Sequence, residues 1–234
     1  MCNQLKVEFF KLRHLWIFYL GIVGMAGLGG AHGYMKLAKL ATENGIYTGF
    51  SSACGDTSFV FLLSLVAAWF IGNDFSNRTI HHEITTGCSR WSVLVVRSIP
   101  VFFATTLLHF TYMFAEMVGV GMKTGISFQM FEKQDIFWFI TVMLQIIAVQ
   151  SIIILITFIV AKSAVAIATS VCFTFVTCNI LRNYFEGKWF IWSCFCFAQD
   201  NTKETLLPTS ICAIFTIIIA IISTYLIFRR KEIK

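Results

Sequence analysis

The chain has 234 residues, 57% of them hydrophobic and only 13% charged, against about 25% charged in a soluble globular domain. With 25 Phe and 2 Pro, its apolar surface exceeds what a fold of this length can bury, which excludes an ordinary soluble enzyme and points to a bilayer as solvent. The net charge of +6 is too small to signal nucleic-acid binding, so the basic residues are read for membrane orientation instead.

At the N-terminus, Leu5, Phe9, Leu12 and Trp16 recur at helical spacing with Lys6, Lys11 and Arg13 between them. That pattern predicts an amphipathic helix lying in the membrane interface, leading into the first span. The short apolar run and small-residue cleavage site of a signal peptide are missing from this stretch. A spanning helix needs roughly 20 apolar residues. Six stretches meet that length: Leu15–Ala31, Cys54–Ile71, Ser98–Gly121, Phe137–Ala161, Ala164–Leu181 and Pro208–Phe228. They predict one all-α, six-helix membrane domain over the whole chain. The first span carries Gly21, Gly24, Gly27, Gly29 and Gly30, small residues that let a second helix approach closely. Only Lys162 and Ser163 separate the fourth and fifth spans, which predicts a tight hairpin. Between the fifth and sixth, Trp189–Ala198 is too short to cross and too apolar for an ordinary loop, so a re-entrant or interfacial outer element is expected.

Lys and Arg divide eleven against seven between the two sets of connections. The richer set holds both chain ends, the Asn73–Arg97 connection and Lys162, so both termini are expected in the cytoplasm. The eight cysteines are scattered and form no C-x-x-C pair. They are read as small apolar residues inside helices, without a metal or disulfide framework.

No phosphate-cradling G-x-x-x-x-G-K-[ST], no G-x-S-x-G and no H-E-x-x-H is present. His81, His82 and Glu83 are adjacent, and adjacent helical residues do not share a face, so they read as a polar helix surface and not a metal site. Ionisable and polar groups inside the spans are the default functional candidates. His109 lies mid-span, and Glu116 is seven residues on, roughly on the same face. Gln145 and Gln150 join them as candidates for a polar translocation pathway. The plain alternative is that His109 hydrogen-bonds a neighbouring helix and Glu116 reaches outer water.

The connection Asn73–Trp91 is the most informative stretch. Ser76 or Asn77 can cap a short helix, Ile80 and Ile84 form an apolar stripe one turn apart, and Gly87 ends it. Such a helix projecting into the cytoplasm suggests a docking surface. Asp74, Phe75, Thr79, Ile80, Ile84, Gly87, Ser89 and Arg90 also match a segment that joins the second and third spans of type-2 ABC-transporter permeases. Arg78 stands where glycine is more usual. The whole layout resembles that family too: an amphipathic first helix, six spans, a cytoplasmic hairpin after the fourth and an apolar outer segment before the sixth.

The resemblance implies a permease subunit of an ATP-driven exporter in a bacterial cell membrane, working as a homodimer or heterodimer. The chain is then no enzyme and binds no cofactor itself, since ATP and Mg sit on a separate cytoplasmic ATPase subunit. It also implies that the short helix is the coupling helix docked on that ATPase, through Asn77, Thr79, Ile80, Glu83, Ile84, Gly87, Ser89 and Arg90. Amphipathic or hydrophobic peptides, in antimicrobial-peptide export or immunity, are the expected cargo, with drug or lipid efflux as the alternative. An ion-coupled secondary transporter using His109 and Glu116 is the rival class, and a non-transporting scaffold is a third.

Overall fold

The computed structural model describes residues 2–35, 45–57, 59–124, 132–181 and 203–231. The described residues are all-helical, with no strand. The helices are α1 Cys2–His14, α2 Trp16–Met35, α3 Gly45–Gly55, α4 Val60–Ser76, α5 Thr79–Thr85, α6 Arg90–Thr124, α7 Lys133–Val160, α8 Ser163–Phe175 and α9 Lys203–Arg230. A π turn, Val176–Leu181, prolongs α8.

Among the described residues, α6, α7 and α9 are each long and apolar enough to cross a membrane. The count rises to five if each of two bent pairs is one span: α1 with α2, bent by 59°, and α3 with α4, bent by 58°. The second expected span therefore starts differently from the sequence reading. Cys54 belongs to α3, and the straight segment begins only at Val60. The expected outer element Trp189–Ala198 lies outside the described residues.

Packing places the chain ends together. Ser76 Oγ accepts a hydrogen bond from the Ser163 backbone N–H at 3.2 Å, joining the end of α4 to the start of α8. Arg90, at the start of α6, reaches the end of α9, and Lys231 reaches the end of α7. Gln4 of α1 donates to Cys88 Sγ at 3.0 Å and accepts from Ser92 Oγ at 3.2 Å. All these contacts gather at one end of the bundle, with α5 among them. At the opposite end, Tyr47 donates to Asp135 at the start of α7 at 3.0 Å.

The glycines of α2 do what their size permits. A Cβ on Gly29 or Gly33 would overlap the carbonyl oxygens of Tyr112 and Glu116, and one on Gly119 would overlap the Gly30 carbonyl. Helices α2 and α6 thus meet backbone to backbone, the small-xxx-small contact that membrane helices use in place of a hydrophobic drive. Gly24 and Gly27 face open space and are not part of that seam.

Candidate functional site

Local devices fix both ends of helix α5 and the start of α6. Arg78 precedes it in the left-handed region (φ 57°), the conformation that explains why glycine suits this position. At the other end Gly87 has φ 93°. Its N–H bonds the Ile84 carbonyl and the Cys88 N–H bonds that of Glu83, both at 3.0 Å, a Schellman termination. Ser89 then caps α6, its Oγ accepting from the Ser92 N–H at 3.2 Å.

Packing turns part of the expected docking face inward. Ile80 is 1% exposed and sits in the core. Ile84 is half-buried against that core. Glu83 also points into the bundle. The expectation that Ile80 is offered to a partner is corrected accordingly, while Ile84 and Glu83 lean on the bundle and keep part of their surface exposed. A seven-residue helix must bury its apolar stripe against its own chain to be stable. The groups left outward are Asn77, Arg78, His82, Thr85, Thr86, Gly87 and Ser89, with Thr79 half-buried.

Arg97 organises this end. Its side chain is fully buried. Nε donates to Asp74 Oδ2 at 2.8 Å, while Nη1 and Nη2 donate to the two oxygens of Glu83 at 2.7 and 3.1 Å. One planar guanidinium therefore joins α4, α5 and α6, a geometry that lysine cannot reproduce. Lys11 of α1 adds a second cation, 2.8 Å from Glu8 and 3.4 Å from Asp74. Sequence reading counted Arg97 as a loop charge. The signal it carried was its place two turns inside a helix that begins at Arg90, after the apolar run Val93–Val96.

Arg90 and Lys231 close the same end. Arg90 Nη1 donates to the carbonyls of Phe228, Arg229 (3.0 Å) and Lys231 (2.8 Å), capping α9. Lys231 Nζ donates to the Phe158 and Ile159 carbonyls, each at 2.9 Å, capping α7. Both place a cation where the helix dipole is negative. Partial burial pushes the Lys231 ammonium below its usual range. The Phe75 ring meets Phe158 edge-on at 5.1 Å, and Phe158 meets Phe228 at 5.0 Å. Asp74, Phe75, Ile80, Gly87, Ser89 and Arg90 of the sequence segment thus each have a structural role here.

Glu116 is fully buried rather than reaching water. Its Oε1 lies 3.1 Å from His32 Nδ1 on α2. Tyr112 donates to Asp56 Oδ2 at 2.7 Å and stands 3.5 Å from the same His32 nitrogen. His109 is buried one turn below, its ring 6.4 Å from that of Tyr112. Gln145 and Gln150 are both fully buried on α7. His32, Asp56 and Tyr112 were not singled out by the sequence reading. Among the described residues no group of three or more His, Cys, Asp or Glu side chains is arranged to hold a metal ion.

The chain matches no model of a known protein family and no curated protein.

Proposed function

We propose that this chain is the membrane-spanning permease subunit of an ATP-driven exporter, with α5 as the element that receives motion from a separate ATPase. One observation carries the reading. Helix α5 stands at one end of an apolar bundle with a polar outer face, yet is fastened through Glu83 and Arg97 to α4 and α6. A short helix with few local bonds transmits force only if it is fixed to the spans it is meant to move, and a buried bidentate ion pair supplies that rigidity.

In this reading the α5 end and both termini face the cytoplasm, and the chain crosses six times. Support for a sixth crossing comes from α8, which with its π turn runs the length of α4: Ser163 meets Ser76 at one end, and Thr57 donates to the Cys178 carbonyl at 3.3 Å at the other. ATP and Mg belong to the partner subunit, a second permease copy completes the assembly, and Trp189–Ala198 shapes the outer exit. The cargo is an amphipathic or hydrophobic peptide, as suits spans rich in Phe. A drug or lipid is the alternative within the class.

The test is co-purification in mild detergent. An ATP-hydrolysing subunit should accompany the tagged chain in near-stoichiometric amount. It should be lost from His82→Glu/Thr85→Glu, which alters only outward side chains, while the variant still inserts and folds. An ATPase retained at wild-type level by that variant refutes α5 as the contact, and its absence from the wild-type chain refutes the exporter. Sensitivity of cells lacking the chain to amphipathic peptides, and not to small drugs, would identify the cargo class.

A further inference from the structure

Helix α1 sorts its charges by face. Glu8 and Lys11 turn toward the bundle, where Lys11 reaches Glu8 at 2.8 Å and Asp74 at 3.4 Å. Lys6 and Arg13 are exposed, and neither pairs with an acid among the described residues. They stand two helical turns apart on one face, with Phe9 and Phe10 between them. The Phe9 ring packs edge-on against Phe103 of α6 at 5.5 Å.

Phe103 also lines an apolar groove of about 400 Å³ between α6 and α7. Phe102, Phe103 and Phe110 form one wall and Phe139, Met143 and Ile147 the other, with Thr106 as the polar lining residue. Phe103 lies at the α1 end of the groove, and Phe110 meets Phe139 at 6.4 Å at the far end. Phe102 to Phe110 covers about 12 Å of helix rise, close to the ~15 Å depth of one leaflet's hydrocarbon. A helix of that length and about 10 Å across needs roughly 900 Å³, so another helix does not seat in the groove, whereas a flexible hydrocarbon chain does. Lys6 and Arg13 beside its α1 end repel a basic peptide and attract an anion.

We propose that the α6–α7 groove and the outward face of α1 form a binding site for one anionic phospholipid, with an acyl chain in the groove and the phosphate held by Lys6 and Arg13. The groove supplies apolar affinity without regard to headgroup, and the two cations supply the selection through charge-assisted contacts. The bound lipid ties α1 to α6 and α7. The site requires only that the chain lie in a bilayer and stands apart from the exporter reading.

The probe is phosphatidylglycerol with a diazirine in one acyl chain, compared with phosphatidylcholine carrying the same chains, each in nanodiscs with the purified full chain. Light expels N₂ from the diazirine, the resulting carbene inserts into a neighbouring C–H bond, and the adducts are mapped by mass spectrometry. Phosphatidylglycerol adducts should concentrate at residues 102–110 and 139–147, roughly tenfold above those of phosphatidylcholine. In Lys6→Gln/Arg13→Gln, which alters only exposed side chains, the two lipids should label the groove within about twofold of each other. Thr106→Trp, which fills the groove, should remove the groove adducts of both. Equal groove labelling by the two lipids in the wild-type chain overturns the proposal, whether or not Thr106→Trp folds. So do phosphatidylglycerol adducts spread evenly over the groove and the exposed face of α9, the pattern of ordinary annular lipid. Exclusion of both lipids from the groove would overturn it in favour of coverage by a second copy of the chain.

Discussion

Arg97→Met is the most decisive perturbation of the α5 end. Methionine keeps much of the apolar stem and removes the guanidinium. Breaking one side of a buried ion pair costs about 3–5 kcal/mol when the partner is left uncompensated. Here the two partners differ. Asp74 keeps Lys11 at 3.4 Å, so it retains a cation. Glu83 has Arg97 as its ion-pair partner and is 26% exposed, so it loses its cation but can partly rehydrate. Discounting for that exposure leaves about 2 kcal/mol on the opening of α5, a factor on the order of 30. Burial of Ile80 still holds the helix, so the variant opens more often rather than detaching. Cys88, at the foot of α5 with Gln4 hydrogen-bonded to its sulfur, is the natural reporter. With Cys88 as the only cysteine, reaction with a water-soluble maleimide in detergent should accelerate by that factor in Arg97→Met and less in Arg97→Lys. Wild-type labelling rates in Arg97→Met would show that the ion pair does not hold α5, and that Ile80 alone does.

Three further expectations follow from local geometry. Arg78→Gly should raise the thermal midpoint by the equivalent of about 0.5 kcal/mol, because the left-handed conformation costs a side chain more than glycine loses in entropy; a lower midpoint would contradict the strain at φ 57°. Gly33→Leu should cost at least about 2 kcal/mol by driving α2 off the Glu116 carbonyl, whereas Gly24→Leu, in open space, should leave the midpoint unchanged; equal effects would disprove the seam. Arg90→Ala should free the α9 carbonyls at a cost of about 1–3 kcal/mol, read as faster proteolysis after Arg230, and an unchanged rate would show that the cap is dispensable.

Hydropathy alone identified an all-helical, membrane-embedded chain, because lipid admits only helices or closed barrels and these segments are too long and too continuously apolar for barrel strands. Local chemistry was legible in part. Gly87 at the end of α5 was legible because glycine accepts φ 93°, but the start was not: neither Ser76 nor Asn77 caps the helix, and Arg78, in the left-handed region, precedes it without a side-chain cap.

The direction in which α5 points was not legible. Ile80 and Ile84 have the spacing of a docking stripe, and the same spacing serves a helix packed on its own bundle. Only the position of α4 and α6 decides between them. Arg97 illustrates the limit, since a basic residue near a span end looks like an orientation signal until Asp74 and Glu83, 23 and 14 residues away, are brought around it. The pair of His32 with Glu116, 84 residues apart, is beyond any local pattern. It exists because glycines on α2 remove the side chains that would otherwise keep the helices apart. The sequence therefore determined the solvent, the helical character and the glycine end of α5, while tertiary packing decided which charges are buried and with whom, because pairing of distant groups depends on the close approach of helices and not on the periodicity within one.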